Sequence, residues 1–375
     1  MMTQNSWLSS LGGDVDKTDK KQIAVVFGGF SPEYEVSLKS AFSVIGAINK
    51  EKYNIIMIGI TKSGQWFRYY GSAEDIPTDR WHTQAEQLRH AFLLPERGGW
   101  ILEFDGSEVP KSTKIDLVFP VLHGRYGEDG TVQGLCELAG VPFVGCGTAA
   151  SALCMDKHRA HKVVEFAGVT VPKAVCFENA PTNDELEMVK QELKLPVFVK
   201  PVKAGSSIGV AKLERFGELK AAIDEAFLYD DAVIIEENIF GMEIGCSVVG
   251  NEELIVGKIN EIEVDNGFFT YDEKYTLKNS RFYIPARIDE KTEKRVVDAA
   301  KIIFRVLGCR GYARMDMFIR ENGEIVFNEA NTIPGFTVHS QLPRMMAAAG
   351  YPYPELVEML IKLGLKTPRG KWYGS

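Results

Sequence analysis

The stretch from Gly311 to Thr337, GYARMDMFIRENGEIVFNEANTIPGFT, constrains the fold more than any other part of the chain. Two strand-like runs flank Asn322-Gly323, the dipeptide best suited to positive φ at both centre positions of a tight hairpin turn. A two-residue turn there sets Asp316 opposite Glu329 and Arg314 opposite Asn331. Side chains alternate along a strand, so all four share one face. That face presents two carboxylates, an amide oxygen and a guanidinium. Hard oxygen ligands of this kind suit Mg²⁺, which takes one or two carboxylates and completes its shell with substrate phosphates. The alternative is a surface hairpin with charge pairs across it. Against that, an Asn-Thr-Ile-Pro-Gly loop follows at once, where a surface hairpin would bring a second polar turn. The hairpin reads as a Mg²⁺–nucleotide site.

The remaining bulk properties are those of an ordinary soluble protein. With 375 residues the chain can form two or three domains, and 45% hydrophobic and 25% charged residues are usual for a globular core and surface. A net charge of −8 with no basic run argues against a nucleic-acid partner. The cysteines (Cys136, Cys146, Cys154, Cys176, Cys246 and Cys309) form no CxxC and no metal-ligand spacing, so they read as small buried hydrophobes in a reducing cytosol. The first twenty residues lack the basic start and apolar run of a signal peptide and read as a flexible leader. No stretch approaches the roughly 18 apolar residues of a membrane span. A cytoplasmic protein without membrane or nucleic-acid partners is expected.

Taken in order, Ile23–Phe27 is an apolar strand ended by Gly28-Gly29, and SPEYEVS opens a helix with Leu38, Ala41, Phe42, Ile45 and Ile48 at helical spacing. Tyr53–Ile60 and Asp116–Leu122 supply two more strands, the start of an open parallel sheet. Ligands bind beyond the carboxyl ends of such strands, where Glu33 and His123 would lie. A dinucleotide site is disfavoured, because a full GxGxxG is absent. Residues 61–115 can be placed only as an insertion or edge of this first unit. HGRYGEDGTVQG (123–134) is either a tight loop with a helix cap or a lining of the substrate pocket.

Ser151–Ala167 reads as one helix containing Met155-Asp156-Lys157. The strand Leu195–Val199 runs into Lys200-Pro201 and a loop with Gly205, Ser206, Ser207 and Gly209. Small residues let backbone N–H groups approach phosphate oxygens, and the lysine adds a point charge. Val233–Ile235 is a strand followed by Glu236-Glu237 and Glu243, either a solvated strand end or acceptors for an adenine amino group and ribose hydroxyls. Leu254–Ile259 reads as another strand, and Asp298–Leu307 as part of a helix with a core-facing stripe at 296, 299, 300, 303, 304 and 307. Tyr353–Leu365 reads as a closing amphipathic helix.

Together these pieces resemble the D-alanine–D-alanine ligases of the ATP-grasp superfamily, and within them the VanG-type D-alanine–D-serine ligases of vancomycin resistance. The likeness spans roughly 21–365 and rests on GGFSPEYEVSL, HGRYGEDGTVQG, ALCMDK, VKPVKAGSSIGV, EKYTL and RMDMF…FNEANTIPGFT, in that order. It implies an α/β chain, α+β in its ATP-grasp part, of three-domain ATP-grasp architecture. The expected layout is a leader over 1–20, an N-terminal α/β substrate domain over 21–150, a central ATP-grasp subdomain over 151–243, and a C-terminal ATP-grasp subdomain with the hairpin over 244–375.

The resemblance also implies roles. Lys157 and Lys200 would hold ATP phosphates with Ser206 and Ser207 of the loop, and Lys274 would contact the transferred phosphate. Glu236 and Glu237 would sit near the adenine, and Glu243 would take the ribose. Asp316, Glu329 and Asn331 would hold two Mg²⁺ ions, with Mn²⁺ able to substitute. Glu33, held by Ser206 and Tyr275, would grip the ammonium of the first D-alanine, with His123 near its carboxylate. Arg314 and the Gly335 N–H would stabilise the tetrahedral intermediate, and Ser340 would anchor the second amino acid. Segments 267–285 and 204–209 would form lids. A homodimer is the family's habit.

Departures from the family pattern (Ala204 before GSS, FFTYDEKY, and Ala313 before the arginine) touch no ligand of metal or nucleotide. A D-alanine–D-alanine ligase of cell-wall synthesis would differ only in the second pocket, where serine is favoured. A D-lactate-using relative is disfavoured by Lys274-Tyr275. A regulatory protein that had lost the chemistry should lack one of Lys200, Arg314, Asp316, Glu329 or Asn331, and all five are present.

Overall fold

The computed structural model describes residues 20–107, 109–264 and 280–366. Its first sheet is organised on β1 (Lys21–Gly28), whose Ile23, Val25 and Phe27 are wholly buried. β1 runs parallel to β2 (Tyr53–Ile60) and to β7 (Leu117–Val121), as the three apolar runs predict. The 61–115 region continues this sheet as antiparallel strands: β3 (Trp66–Tyr69), β4 (Leu88–Leu93), β5 (Trp100–Phe104) and β6 (Lys111–Lys114). The sheet is therefore mixed, in the order β6-β5-β4-β3-β2-β1-β7. Trp81, fully buried, packs edge-on to Phe27 at 5.1 Å and donates its indole N–H to the Tyr34 hydroxyl, joining the extension to the parallel core.

Helix α1 (Tyr34–Ala47) follows β1, and α2 (Thr131–Leu138) follows the glycine-rich loop after β7. The single helix expected over Ser151–Ala167 is two, α3 (Thr148–Met155) and α4 (Lys157–Phe166). The break is Asp156, in extended backbone, whose carboxylate accepts the Arg159 N–H as an N-cap for α4. The Lys157 N–H is left to bond the Val202 carbonyl. A residue that satisfies the second helix's orphan donors outcompetes continuation of the first.

The second sheet is antiparallel, β10-β9-β11-β8, from β8 (Ala174–Phe177), β9 (Val197–Pro201), β10 (Ala211–Leu213) and β11 (Val233–Glu237). Helices α5 (Asn183–Glu192), opened by a Thr182/Glu185 capping box, and α6 (Leu219–Ala226) cover it through Val189, Ile223 and Ala226. The third sheet has the order β15-β14-β12-β16-β17, with β13 on β12. It contains β12 (Gly241–Gly250), β13 (Leu254–Val256), β14 (Asn260–Val264), β15 (Ser280–Tyr283), β16 (Gly311–Arg320) and β17 (Ile325–Asn331). The strand expected over Leu254–Ile259 stops at Val256, where the Gly257 N–H bonds the Ser247 carbonyl and the chain turns towards β14.

Helix α7 (Glu290–Val306) buries Val296, Ala300, Ile303 and Phe304 against the third sheet, the stripe its spacing predicts. After α8 (Gln341–Ala348), α9 (Tyr353–Lys366) returns to the first sheet. There Leu356, Val357, Leu360 and Ile361 share a core with Phe119, Tyr312 and Phe336. The end of the described chain thus locks β16 and the loop after β17 to the first sheet.

The hairpin pairs Asp316 with Glu329 and Arg314 with Asn331, as the sequence predicts, but by another route. Arg320 and Glu324 bond to each other, so three residues turn the chain, with Gly323 at φ +80° in the left-handed region. Ile319 accordingly faces Ile325 and Met317 faces Phe327. The register then shifts between Met317 and Asp316, with Asn328 as the extra residue, and the expected pairs follow. A longer turn and a compensating bulge give the partners that a two-residue turn would have given.

Candidate active site

The three sheets meet at a cleft of about 690 Å³. Among the described residues, every predicted site residue lines it. Glu33, His123, Ser206 and Ser207 lie on one side, Lys157, Lys200, Glu236, Glu237 and Glu243 on another, and Arg314, Asp316, Glu329, Asn331, Gly335 and Ser340 on the third. Lys274, Tyr275 and most of the expected 267–285 lid lie outside the described residues.

The hairpin side is tightly bonded. Arg314 donates twice to Asp316, at 2.7 Å to each oxygen, and Asn331 Nδ2 donates to Asp316 Oδ2 at 2.9 Å. Burial works against the Arg314 charge, but Asp316, Glu329 and Glu128 hold the guanidinium firmly protonated. Lys157 reaches Glu329 at 3.6 Å and donates to the Ala204 carbonyl at 2.7 Å, tying α4 to the phosphate-loop candidate. Lys200, at the end of β9, donates to Glu236 at 2.6 Å. Burial tends to raise the Glu236 carboxyl, yet Lys200 and Lys157 hold it below its ordinary value.

The loop after β9 places both Ser206 and Ser207 in the left-handed region, at φ 51° and 58°. Non-glycine residues rarely adopt that conformation, and such strain clusters at ligand-holding loops. The Ser206 hydroxyl donates to Glu33 Oε1, so this loop and the start of α1 close on each other. Glu237 is differently engaged: its carboxylate accepts from Arg320 at 2.8 Å and from the Lys173 N–H at 3.0 Å. His123 is buried, with Nδ1 at 2.6 Å from the Ile333 carbonyl and Nε2 at 3.1 Å from Ser40 Oγ. Burial lowers its pKa, so the neutral ring donates to Ile333 and accepts from Ser40. Its first task here is to brace the loop after β17.

Glu128 was missed by the motif reading, which left its glycine-rich loop undecided. Its two oxygens accept the backbone N–H groups of Gly124, at 2.9 Å, and Ile333, at 2.8 Å. Burial and the Glu33 charge push this carboxyl up to about 8, while those two donors pull the other way. An acidic side chain beside flexible glycines, just past a buried strand, was the available signal. Gln341 and Arg344, on the first turn of α8 beside Ser340, also line the cleft. Ser340 Oγ itself accepts the Thr337 N–H at 3.0 Å.

Family models for the D-ala D-ala ligase N-terminus and C-terminus match residues 22–146 and 163–362. The chain belongs to the D-alanine–D-alanine ligase family. It is thereby an ATP-dependent ligase, and the fold agrees. The crystal structure of the VanG D-Ala:D-Ser ligase from Enterococcus faecalis is 51% identical, with a TM-score of 0.85 over 92% of this chain and 99% of that one. The vancomycin C-type resistance protein VanC2 of Enterococcus casseliflavus is 42% identical over 92% of this chain and 98% of its own length. The D-alanine–D-alanine ligase of Caldicellulosiruptor bescii is 41% identical over 94% and 97%. No helix among the described residues of this ligase is long and apolar enough to cross a membrane.

Proposed function

We propose that this ligase joins D-alanine to D-serine at the expense of ATP, in the cytoplasm, for peptidoglycan precursors of the vancomycin-resistant type. The observation that carries this reading is the 51% identity to the VanG D-Ala:D-Ser ligase over nearly the whole chain. The polar end of the cleft, with Thr337, Gln341 and Arg344 around Ser340, supports it, because a hydroxyl needs a hydrogen-bonding partner when buried.

Among the described residues no three His, Cys, Asp or Glu side chains converge to form an all-protein metal cage. Asp316, Glu329 and Asn331 instead offer two carboxylates and an amide next to cationic side chains, a donor set that suits Mg²⁺ completed by phosphate oxygens and water. Two ions held there would offset charge on the phosphoryl group in transfer.

Glu33 receives the ammonium of D-alanine, already oriented by Ser206. The D-alanine carboxylate attacks the γ-phosphorus of ATP, giving D-alanyl phosphate and ADP. Lys157 and Lys200 turn from the Ala204 carbonyl and Glu236 towards the phosphates. Glu236 faces the adenine and Glu243 the ribose; Glu237, held by Arg320, contributes its place on the strand more than its carboxylate. The neutral amine of D-serine, its carboxylate anchored by Ser340, then attacks the acyl carbon. Two of Arg314's five N–H groups bond Asp316, so others, with the Gly335 N–H, can meet the charge developing on the former carbonyl oxygen. Phosphate departs and the dipeptide remains. The 204–209 loop keeps water from the acyl phosphate.

The test is dipeptide formation from equal D-alanine and D-serine near neutral pH. A pocket that bonds the hydroxyl leaves a polar group unpaired when alanine binds, so D-serine is expected to win by about tenfold or more in kcat/KM as second substrate. Predominant D-alanyl-D-alanine would refute the serine reading and establish the ligase of ordinary cell-wall synthesis, the activity in the name of the C. bescii relative.

A further inference from the structure

His161, on α4, takes no part in the proposed chemistry, yet it is buried between the strand that carries Glu236 and the strand that carries Glu329. Its Nε2 lies 2.6 Å from the Asn328 carbonyl oxygen. A carbonyl only accepts, so Nε2 carries the hydrogen. Burial lowers the ring's pKa and keeps it neutral, which leaves a lone pair on Nδ1. That atom faces Glu236 Oε1 at 3.6 Å, and among the described residues neither has a hydrogen-bond partner, as two acceptors cannot bond to each other. Phe327 meets the ring edge-on at 5.7 Å. Among the described residues, the single hydrogen bond of this imidazole is therefore the one to Asn328.

Asn328 is the extra residue of the β17 bulge. A bulge leaves the extra residue out of the ladder. Without it, every pair beyond Met317 would slip by one and turn Glu329 and Asn331 to the opposite face. We infer that His161 is a positioning residue for the metal end of the cleft: its Nε2–H holds the Asn328 bulge, and the bulge keeps Glu329 and Asn331 facing Asp316 and Arg314. The inference rests on the proposed Mg²⁺–ATP reading of that face.

Two substitutions separate this role from space filling. His161→Gln keeps an N–H that reaches the Asn328 carbonyl. His161→Asn is as polar but one methylene shorter. The measurement is calorimetric binding of a non-hydrolysable ATP analogue to the full chain, with and without Mg²⁺, beside the thermal unfolding midpoint. Mg²⁺ is expected to tighten binding to the wild type. That tightening should persist within about twofold in His161→Gln and fall by about fivefold or more in His161→Asn, the lower end of usual coupling between sites. Metal-free affinity should change less than about twofold in either variant. Equal retention in both variants, or equal loss in both, overturns the inference. If His161→Asn does not fold, His161→Gln decides alone: retained tightening supports the role and lost tightening overturns it. A wild type that binds the analogue with no gain from Mg²⁺ would remove the metal reading itself.

Discussion

Replacing Lys200 by methionine tests the electrostatics of the proposed nucleotide side directly. Lys200 is 15% exposed and Glu236 2%, so their 2.6 Å contact is a buried ion pair. Among the described residues Glu236 Oε1 already lacks a hydrogen-bond partner, and Oε2 depends on Lys200. Removing one member of such a pair strands the other charge, at a cost of about 3–5 kcal/mol. That is a large share of the roughly 5–15 kcal/mol by which proteins are folded. Adding Glu236→Gln removes the stranded charge and should restore most of the loss. The pH dependence follows in sign. In the wild type the Glu236 carboxyl is held below its ordinary value of 4.5, so its contribution to stability is present above that pH and disappears as pH falls through the folded value. In Lys200→Met the folded value moves above 4.5, so the penalty is largest at neutral pH and shrinks towards acid. The assay is urea unfolding of the ligand-free protein at pH 7 and pH 5.5 for the wild type, Lys200→Met and Lys200→Met/Glu236→Gln. A loss under about 1 kcal/mol, as for an exposed pair, would refute the reasoning, as would no recovery in the double variant.

Glu329→Gln removes a carboxylate from the proposed metal face and is expected to lower kcat/KM for ligation by about a hundredfold or more with an unchanged circular dichroism spectrum; near-normal turnover at saturating Mg²⁺ would exclude the hairpin from the chemistry. Glu128, at about 8 in the folded state against 4.5 for the free side chain, keeps a proton that unfolding releases, so it makes stability fall as pH rises between those values, by at most about 1.4 kcal/mol per unit. Glu128→Gln should lose that slope in ligand-free unfolding measurements, and identical slopes in variant and wild type would contradict the assignment.

The sequence by itself determined what depends on local pattern. Alternation and the Asn322-Gly323 turn signal put four candidate site residues on one face of a hairpin, and apolar runs placed β1, β2 and β7 with Glu33 and His123 beyond their ends. A lysine ahead of small residues identified the loop whose Ser206 and Ser207 take left-handed backbone. The tertiary structure decided what depends on partners distant in the chain. The Asn328 bulge offsets a turn one residue longer than expected, and a bulge held by His161 from α4 leaves no mark in strand periodicity. The break at Asp156 needs the Val202 carbonyl to receive the Lys157 N–H. Glu128 became visible only when the Ile333 N–H arrived from 205 residues further along the chain. Residues 61–115 extend the first sheet because Trp81 finds Phe27 and Tyr34 beneath it. Periodicity reports which face of an element is buried; hydrogen bonds between elements settle which loop meets which strand, and a sequence carries those only as unpaired donors and acceptors awaiting a partner.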